Sequence, residues 1–441
     1  MKKVLFICVT MLLICISGKA TERNLLLIPY PQQVSIKQGN YNLTDNVKIG
    51  ADPLFTQELK KLQEVLTEDF GLKSQIVKPS KADISLCYDA SFMQEEKEAY
   101  QLEVTDMKIT IRAQMATGIF YGIQSLRQLI KSEAGKWIIP KLTITDYPAL
   151  SWRSFMLDEG RYFKGEKVVK QILDEMALLK MNVFQWHLTD DQGWRIEIKK
   201  YPRLTEIGAF RDSTQMEWYE SHHYDGKPHG GFYTQTQIRS IIKYASERHI
   251  TIIPEIEMPG HSAAAIAAYP WLSATGKEIK VPCNFGVQYD VFNVTDPKVL
   301  NFLNDVIDEV TTLFSSGILH IGGDEVRYDQ WNASSSVQKF IQEKGFSSAS
   351  DIQVWFTNQM SKVIAQKGWR MMGWNDITGE KLHHFQSGDK EGTERLAPGT
   401  IVQFWKGDSD ILQRAAEQGQ HIVNSYNNFT YLNLLLSAKT F

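Results

Sequence analysis

Cysteine is scarce in this sequence, four in 441 residues, and two of the four fall within the first fifteen. Cys8 and Cys15 belong to an N-terminal leader, so Cys87 and Cys283 remain, far apart in the chain. Two cysteines make no disulfide framework, and both are expected to be free and buried, with no metal-site spacing around them. An excess of either charge is also missing: the formal net charge is -3, which argues against nucleic acid as a partner. No apolar run is long enough for a membrane span, the longest being Val4 to Ile16. Repeats and low-complexity linkers are lacking too. What remains, 43% hydrophobic and 22% charged residues, is the composition of a globular protein with a sizeable core. Eleven tryptophans are many; flat indole surfaces suit sugar rings, although most tryptophans simply pack in cores.

The first twenty residues read as an export signal. Lys2 and Lys3 precede the apolar run, and Ser17-Gly18-Lys19-Ala20 supplies small residues for cleavage after Ala20. The expected location is the periplasm, the cell surface or the medium. Lipid anchoring through Cys15 is the alternative, disfavoured by Ile14 before it.

The texture of the chain changes near residue 148. Before it, NVKIG, ADISLCYD, YQLEVTDMKITIRA and KWIIPKLTITDYP read as short strands, interrupted by helical patterns around 56–70 and 116–131. Residues 21–148 are therefore expected to form a small α+β domain. After it, short apolar strands alternate with amphipathic helices. RSFMLDE leads to EKVVKQILDEMALLK, whose apolar positions 168, 169, 172, 173, 176 and 179 share one helical face. NVFQWHL, ITIIPEIEM, ILHIGGDE, WRMMGWND, TIVQFW and HIVNSY continue the series, with helices at 297–315, 351–367 and 408–418. Seven strands in this alternation predict a parallel α/β architecture over 149–441, a (β/α)8 TIM-type barrel lacking its last strand–helix unit. Asp158, His187, Asp190, Glu255, Glu257, Asp324, Glu325, Trp374, Trp405 and Tyr426 recur at the C-terminal ends of these strands, the face on which barrels build active sites.

The stretch HIGGDEV places Asp324 and Glu325 directly after Gly322 and Gly323. Adjacent residues of an extended segment point in opposite directions, so the two acids are poorly placed to flank a glycosidic bond as acid and nucleophile. One can serve as a general acid while the other holds something beside it, and the glycines permit close approach. A solvated turn is the competing reading of these four residues alone.

Their context is specific. SWRSFMLDEGRYF (151–163), WHLTDDQGWR (186–195), IPEIEMPGHSAAA (253–265) and HIGGDE (320–325) resemble, in this order, the motifs of glycoside hydrolase family 20, the β-N-acetylhexosaminidases, and the region from LIPYPQQV to residue 148 resembles that family's N-terminal companion domain. The resemblance implies a retaining, substrate-assisted hydrolysis of terminal β-linked GlcNAc or GalNAc, with no cofactor and no metal. Glu325 would be the general acid and then the base, and Asp324 would orient the 2-acetamido group. Asp190 and His261 resemble the pair behind the acid, with Asp191 the alternative to Asp190. Arg153 matches the arginine that grips the far hydroxyls of the sugar. Asp158 and Arg161 lie in the same segment, where an ion pair competes with substrate contact. Trp374 and Trp405 match the walls of the acetamido pocket, and Tyr431 the tyrosine that donates to the acetamido oxygen.

Two departures stand out. Asn433 occupies the place of an acid that contacts sugar hydroxyls, so a weaker grip there is expected. Members of the family continue to a last strand carrying a tryptophan and a glutamate, whereas this chain ends at Phe441. The expectations are an incomplete barrel of marginal stability and, as the alternative function, an inactive or degenerate carbohydrate-binding protein.

Overall fold

The computed structural model describes residues 25–90, 97–217, 221–379, 382–383 and 396–432, and the chain divides into two units at Ser151/Trp152. Residues 1–20, expected to be an export signal and carrying Cys8 and Cys15, and Asn433 lie outside the described residues.

The first unit is a mixed sheet covered by two helices. Its strands are β1 (Gln33–Asn42), β2 (Asn46–Ala51), β3 (Lys73–Ile76), β4 (Ile84–Tyr88), β5 (Tyr100–Val104), β6 (Ile109–Ala113), β7 (Lys131–Glu133) and β8 (Lys136–Asp146). They order as β1-β8-β5-β6-β4-β2-β3, with β7 pairing β8. Alternation is cleanest in β5, where Tyr100, Leu102 and Val104 are buried and the residues between them are not. Helix α1 (Thr56–Glu68) and α2 (Ala116–Leu129) touch each other and the sheet. Helix α2 lies so close that a Cβ on Gly122 would collide with Ile111 and Tyr100.

The second unit is a curled parallel sheet wrapped by helices, a barrel-type α/β fold. Seven strands, β9 (Ser154–Asp158), β10 (Val183–His187), β11 (Thr251–Glu255), β12 (Ile318–His320), β13 (Arg370–Trp374), β14 (Ile401–Phe404) and β15 (His421–Asn424), pair in chain order, every pair parallel. β9 and β15 form the two edges among the described residues. The crossovers are helices such as α3 (Glu166–Leu178), which buries Val169, Leu173 and Met176 and leaves Leu179 exposed. Val183, Ile253, Met372 and Ile401 from four strands meet in one cluster, against which Trp152, Ile318 and Val423 pack. That convergence is what the curl of the sheet produces.

The sequence reading missed β1, β3, the six-residue helix Ala263–Ala268 and the helix Ser335–Lys344. Cys87 and Cys283 are free but only half-buried, not fully buried as expected. No helix among the described residues is long and apolar enough to cross a membrane.

Candidate active site

Parallel register brings the last residues of neighbouring strands together. His187 stands beside Asp158 and Glu255, and Glu255 beside His320. Glu255, fully buried, accepts from Gln185 Nε2 at 2.7 Å and from Trp374 Nε1 at 3.0 Å. Burial would raise its pKa, but His187 and His320 outweigh that and hold it low. His187 responds in kind: burial disfavours its charge, yet the Glu255 and Asp158 carboxylates push it up to about 9. The Gly322 N–H donates to His320 Nδ1 at 3.0 Å, so its proton belongs on Nε2, aimed at Gln403 Oε1 3.1 Å away.

The glycines before the acids serve the protein itself. Gly322 has φ +64° and Gly323 φ +88°. A Cβ on Gly322 would land on the Glu257 carboxyl group, and one on Gly323 would meet Ile377 Cγ2. The close approach that these glycines permit is thus taken by the Glu257 and Ile377 side chains. Glu257 is 2% exposed, and His187 Nε2 lies 3.4 Å from its Oε1. Burial and the nearby Asp324 and Glu255 charges raise its pKa well above the usual carboxylate range, which favours its neutral form. Hydrogen bonds to the turn's carbonyls fix its path: Gln353 Nε2 donates to Gly323 O (2.9 Å) and the Trp374 N–H to Gly322 O (2.9 Å).

Glu325 has φ +50°, so Asp324 and Glu325 sit on a tight turn and not on an extended segment. Their carboxylates consequently converge. His261 Nε2 is 3.6 Å from Asp324 Oδ2 and 3.4 Å from Glu325 Oε2. His261 also has positive φ, +46°. Two non-glycine residues in this region cost about 1–2 kcal/mol each, strain that persists only where the surroundings impose it. On its other side His261 Nδ1 meets Asp191 Oδ2 at 3.0 Å and Asp190 Oδ1 at 3.3 Å. Burial disfavours the imidazolium, but Asp190 and Asp324 raise its pKa well above the ordinary value; in return His261 holds Asp324 low against its own burial.

The aspartate doublet divides its partners. Asp191 bonds His261 and accepts the Ala263 N–H at 3.0 Å. Asp190 takes Arg161 Nη1 at 3.0 Å and His187 Nε2 at 3.3 Å, and Arg161 also pairs with Asp158 at 2.9 Å. Asp190, though buried, is held well below the usual carboxylate range by Arg161 and His261.

Trp374, Trp405 and Tyr431 form one wall. Trp374 and Trp405 meet at 69° with centroids 6.4 Å apart, and Trp405 stacks on Tyr431 at 14°. Burial, then Asp324 and Glu255, raise the Tyr431 pKa, so its hydroxyl keeps its proton. Behind the wall, Asp376 accepts from Trp405 Nε1 at 3.0 Å and stands 3.2 Å from His383 Nε2. Neither Asp376 nor His383 was foreseen; the GWND motif exposes the first, but nothing in the sequence marks the second.

Arg153 is not brought to this site. It precedes β9, at the opposite end of the strand from Asp158, about 16 Å away at strand rise. Its Nε donates to Lys180 O at 2.7 Å and its N–H to Asn182 Oδ1 at 3.0 Å, which ties strand bottom to helix end. Arg161 is the arginine at the mouth. Three donor sets of the kind that hold metal ions occur here: His187, Glu255 and Glu257; Asp190, Asp191 and His261; and His261, Asp324 and Glu325.

A parallel α/β barrel-type sheet with a carboxylate–histidine cluster at its C-terminal rim is the architecture of a barrel enzyme's active site. Residues 150–440 match the catalytic domain of glycosyl hydrolase family 20, and residues 24–147 match domain 2 of that family. The chain belongs to glycosyl hydrolase family 20. It is 38% identical to a beta-hexosaminidase of Porphyromonas gingivalis over 98% of its own length and 55% of that protein's. It is 34% identical to one of Vibrio furnissii, over 93% of this chain and 64% of that one. The chain thus spans roughly half to two-thirds of these relatives. Among solved structures, beta-N-acetylhexosaminidase of Bacteroides fragilis aligns with TM-score 0.77 and 32% identity, covering 93% of this chain and 77% of that one. An exo beta-N-acetylglucosaminidase of Vibrio harveyi, solved with N-acetylglucosamine, aligns with TM-score 0.78 and 29% identity, covering 92% and 61%.

Proposed function

We propose that this chain is an exo-β-N-acetylhexosaminidase that removes terminal β-linked GlcNAc or GalNAc from glycans by retaining, substrate-assisted catalysis. The observation that carries the reading is the convergence of Asp324 and Glu325 on His261 Nε2, at 3.6 and 3.4 Å. Both carboxylates then work on one side of a bound sugar, so the nucleophile across from the leaving group comes from the substrate itself. The acetamido carbonyl oxygen attacks the anomeric carbon as the glycosidic bond breaks, and Glu325 gives its proton to the departing oxygen. Asp324, kept ionised by His261, accepts the acetamido N–H and balances the positive charge of the oxazolinium intermediate. Glu325, now a carboxylate, takes a proton from the water that opens the ring, which restores the β configuration. Trp374, Trp405 and Tyr431 hold the acetamido group in the reactive conformation, Arg161 reaches the sugar hydroxyls, and Asp191, with Asp190, positions His261.

Relatives named beta-hexosaminidases and a neighbour solved with N-acetylglucosamine support this reading. The leader over residues 1–20 supports export of the protein. Release of nitrophenol from the aryl β-N-acetylglucosaminide tests the activity: Glu325→Gln is expected to lower kcat by about 10²–10⁴. Equal rates for the variant and the parent chain would refute the assignment.

A further inference from the structure

We infer that His383, backed by Asp376, is a second positioning residue for the general acid, acting on the carboxylate oxygen that His261 does not face. The inference rests on the proposed role of Glu325. His261 Nε2 lies 3.4 Å from Glu325 Oε2, while His383 Nδ1 lies 3.7 Å from Oε1. Each oxygen of the acid is thereby faced by a buried imidazole. Behind each imidazole stands a buried carboxylate: Asp191 behind His261 at 3.0 Å, and Asp376 behind His383 at 3.2 Å. Asp376 also reaches the backbone of the same residue, accepting the Glu325 N–H at 3.4 Å, while its other oxygen accepts from Trp405 Nε1 at 3.0 Å. The His383 ring lies over Trp405, centroids 5.8 Å apart at 29°. Asp376 thereby ties His383, Trp405 and the Glu325 backbone to one carboxylate. An acid that must give a proton to the leaving oxygen and later collect one from water needs its two oxygens held in different roles. Two flanking imidazoles can hold them so.

Leaving-group dependence tests this. His383→Phe keeps a ring on Trp405 and removes both nitrogens. Its kcat/KM is expected to fall about 10- to 100-fold on the methyl β-N-acetylhexosaminide, whose alkoxide must be protonated, and less than about threefold on the dinitrophenyl glycoside, which departs unaided. The loss is expected in kcat, not KM. His383→Gln, smaller and able to hydrogen-bond, is expected to fall between the two. Equal losses on both substrates in both variants, or no loss on either, would overturn the inference. Glu325→Gln in the same assay separates the two readings: if it shows no leaving-group dependence, the assignment of the acid fails and the inference with it; if it does and the His383 variants do not, only the inference fails.

Discussion

Gly322→Ala is the sharpest test of how the site is built. Two penalties act on it. An alanine at φ +64° is in the left-handed region, at about 1–2 kcal/mol. Its Cβ would also occupy the position of the Glu257 carboxyl group, and overpacking of this kind costs about 1–3 kcal/mol. Gly317 has nearly the same conformation, φ +67°, with nothing within 4 Å of a built Cβ, so Gly317→Ala carries the first penalty alone. For a unit of this size about 1 kcal/mol shifts Tm by roughly 2–4 °C. Gly317→Ala is thus expected to lower Tm by roughly 2–8 °C and Gly322→Ala by roughly 4–20 °C, with the second always the larger. Thermal melts by near-UV circular dichroism read the shifts. The Gly322 variant should in addition lose kcat, because a displaced Glu257 pushes on Asp324. Equal shifts for the two variants would show that the contact with Glu257 is not why position 322 is glycine.

The remaining expectations concern charge and placement. His187, raised to about 9 from an unfolded value near 6.5, lends stability that is complete below about pH 6.5 and lost as pH rises through about 9, up to about 3 kcal/mol. Burial raises the Glu257 pKa, so it too weakens the fold as pH rises above its unfolded value. Urea midpoints should accordingly fall from pH 6 to pH 9, and His187→Gln should flatten the slope; a midpoint that rises with pH refutes the sign. Arg195, buried, donates to the carbonyls of Glu159, Gly160, Gln192, Ala209 and Gly231. Arg195→Met should cost about 3–5 kcal/mol by denaturant unfolding, and a cost under 1 kcal/mol would show those carbonyls finding other donors. Arg153→Ala should lower Tm without raising KM, whereas Arg161→Ala should raise KM at least tenfold; the reverse pattern in steady-state kinetics would restore Arg153 to the site.

Much of this protein is legible in its residues, because local patterns are read locally. Period-two alternation marks β5, the helical stripe of α3 carries Val169, Leu173 and Met176 to the core, and the seven strands fall at the predicted stretches. The motif order was enough to place Asp324, Glu325, His261 and the aspartate doublet at one site. What failed depended on direction and distance. Arg153 and Arg161 are eight positions apart in one motif, and only the strand between them shows that they lie at opposite ends of the barrel. Short elements such as β3 and the helix Ala263–Ala268 have too few residues to display a period.

The sequence alone determined the fold class, the companion domain and the identity of the acid pair, since each is written in periodicity or in contiguous motif residues. Tertiary structure alone decided which aspartate bonds His261, why position 322 must be glycine, and that His383 faces the acid. Those are contacts between residues 58 to 70 positions apart, whose partners, charge states and distances exist only once the parallel strands have set their ends side by side.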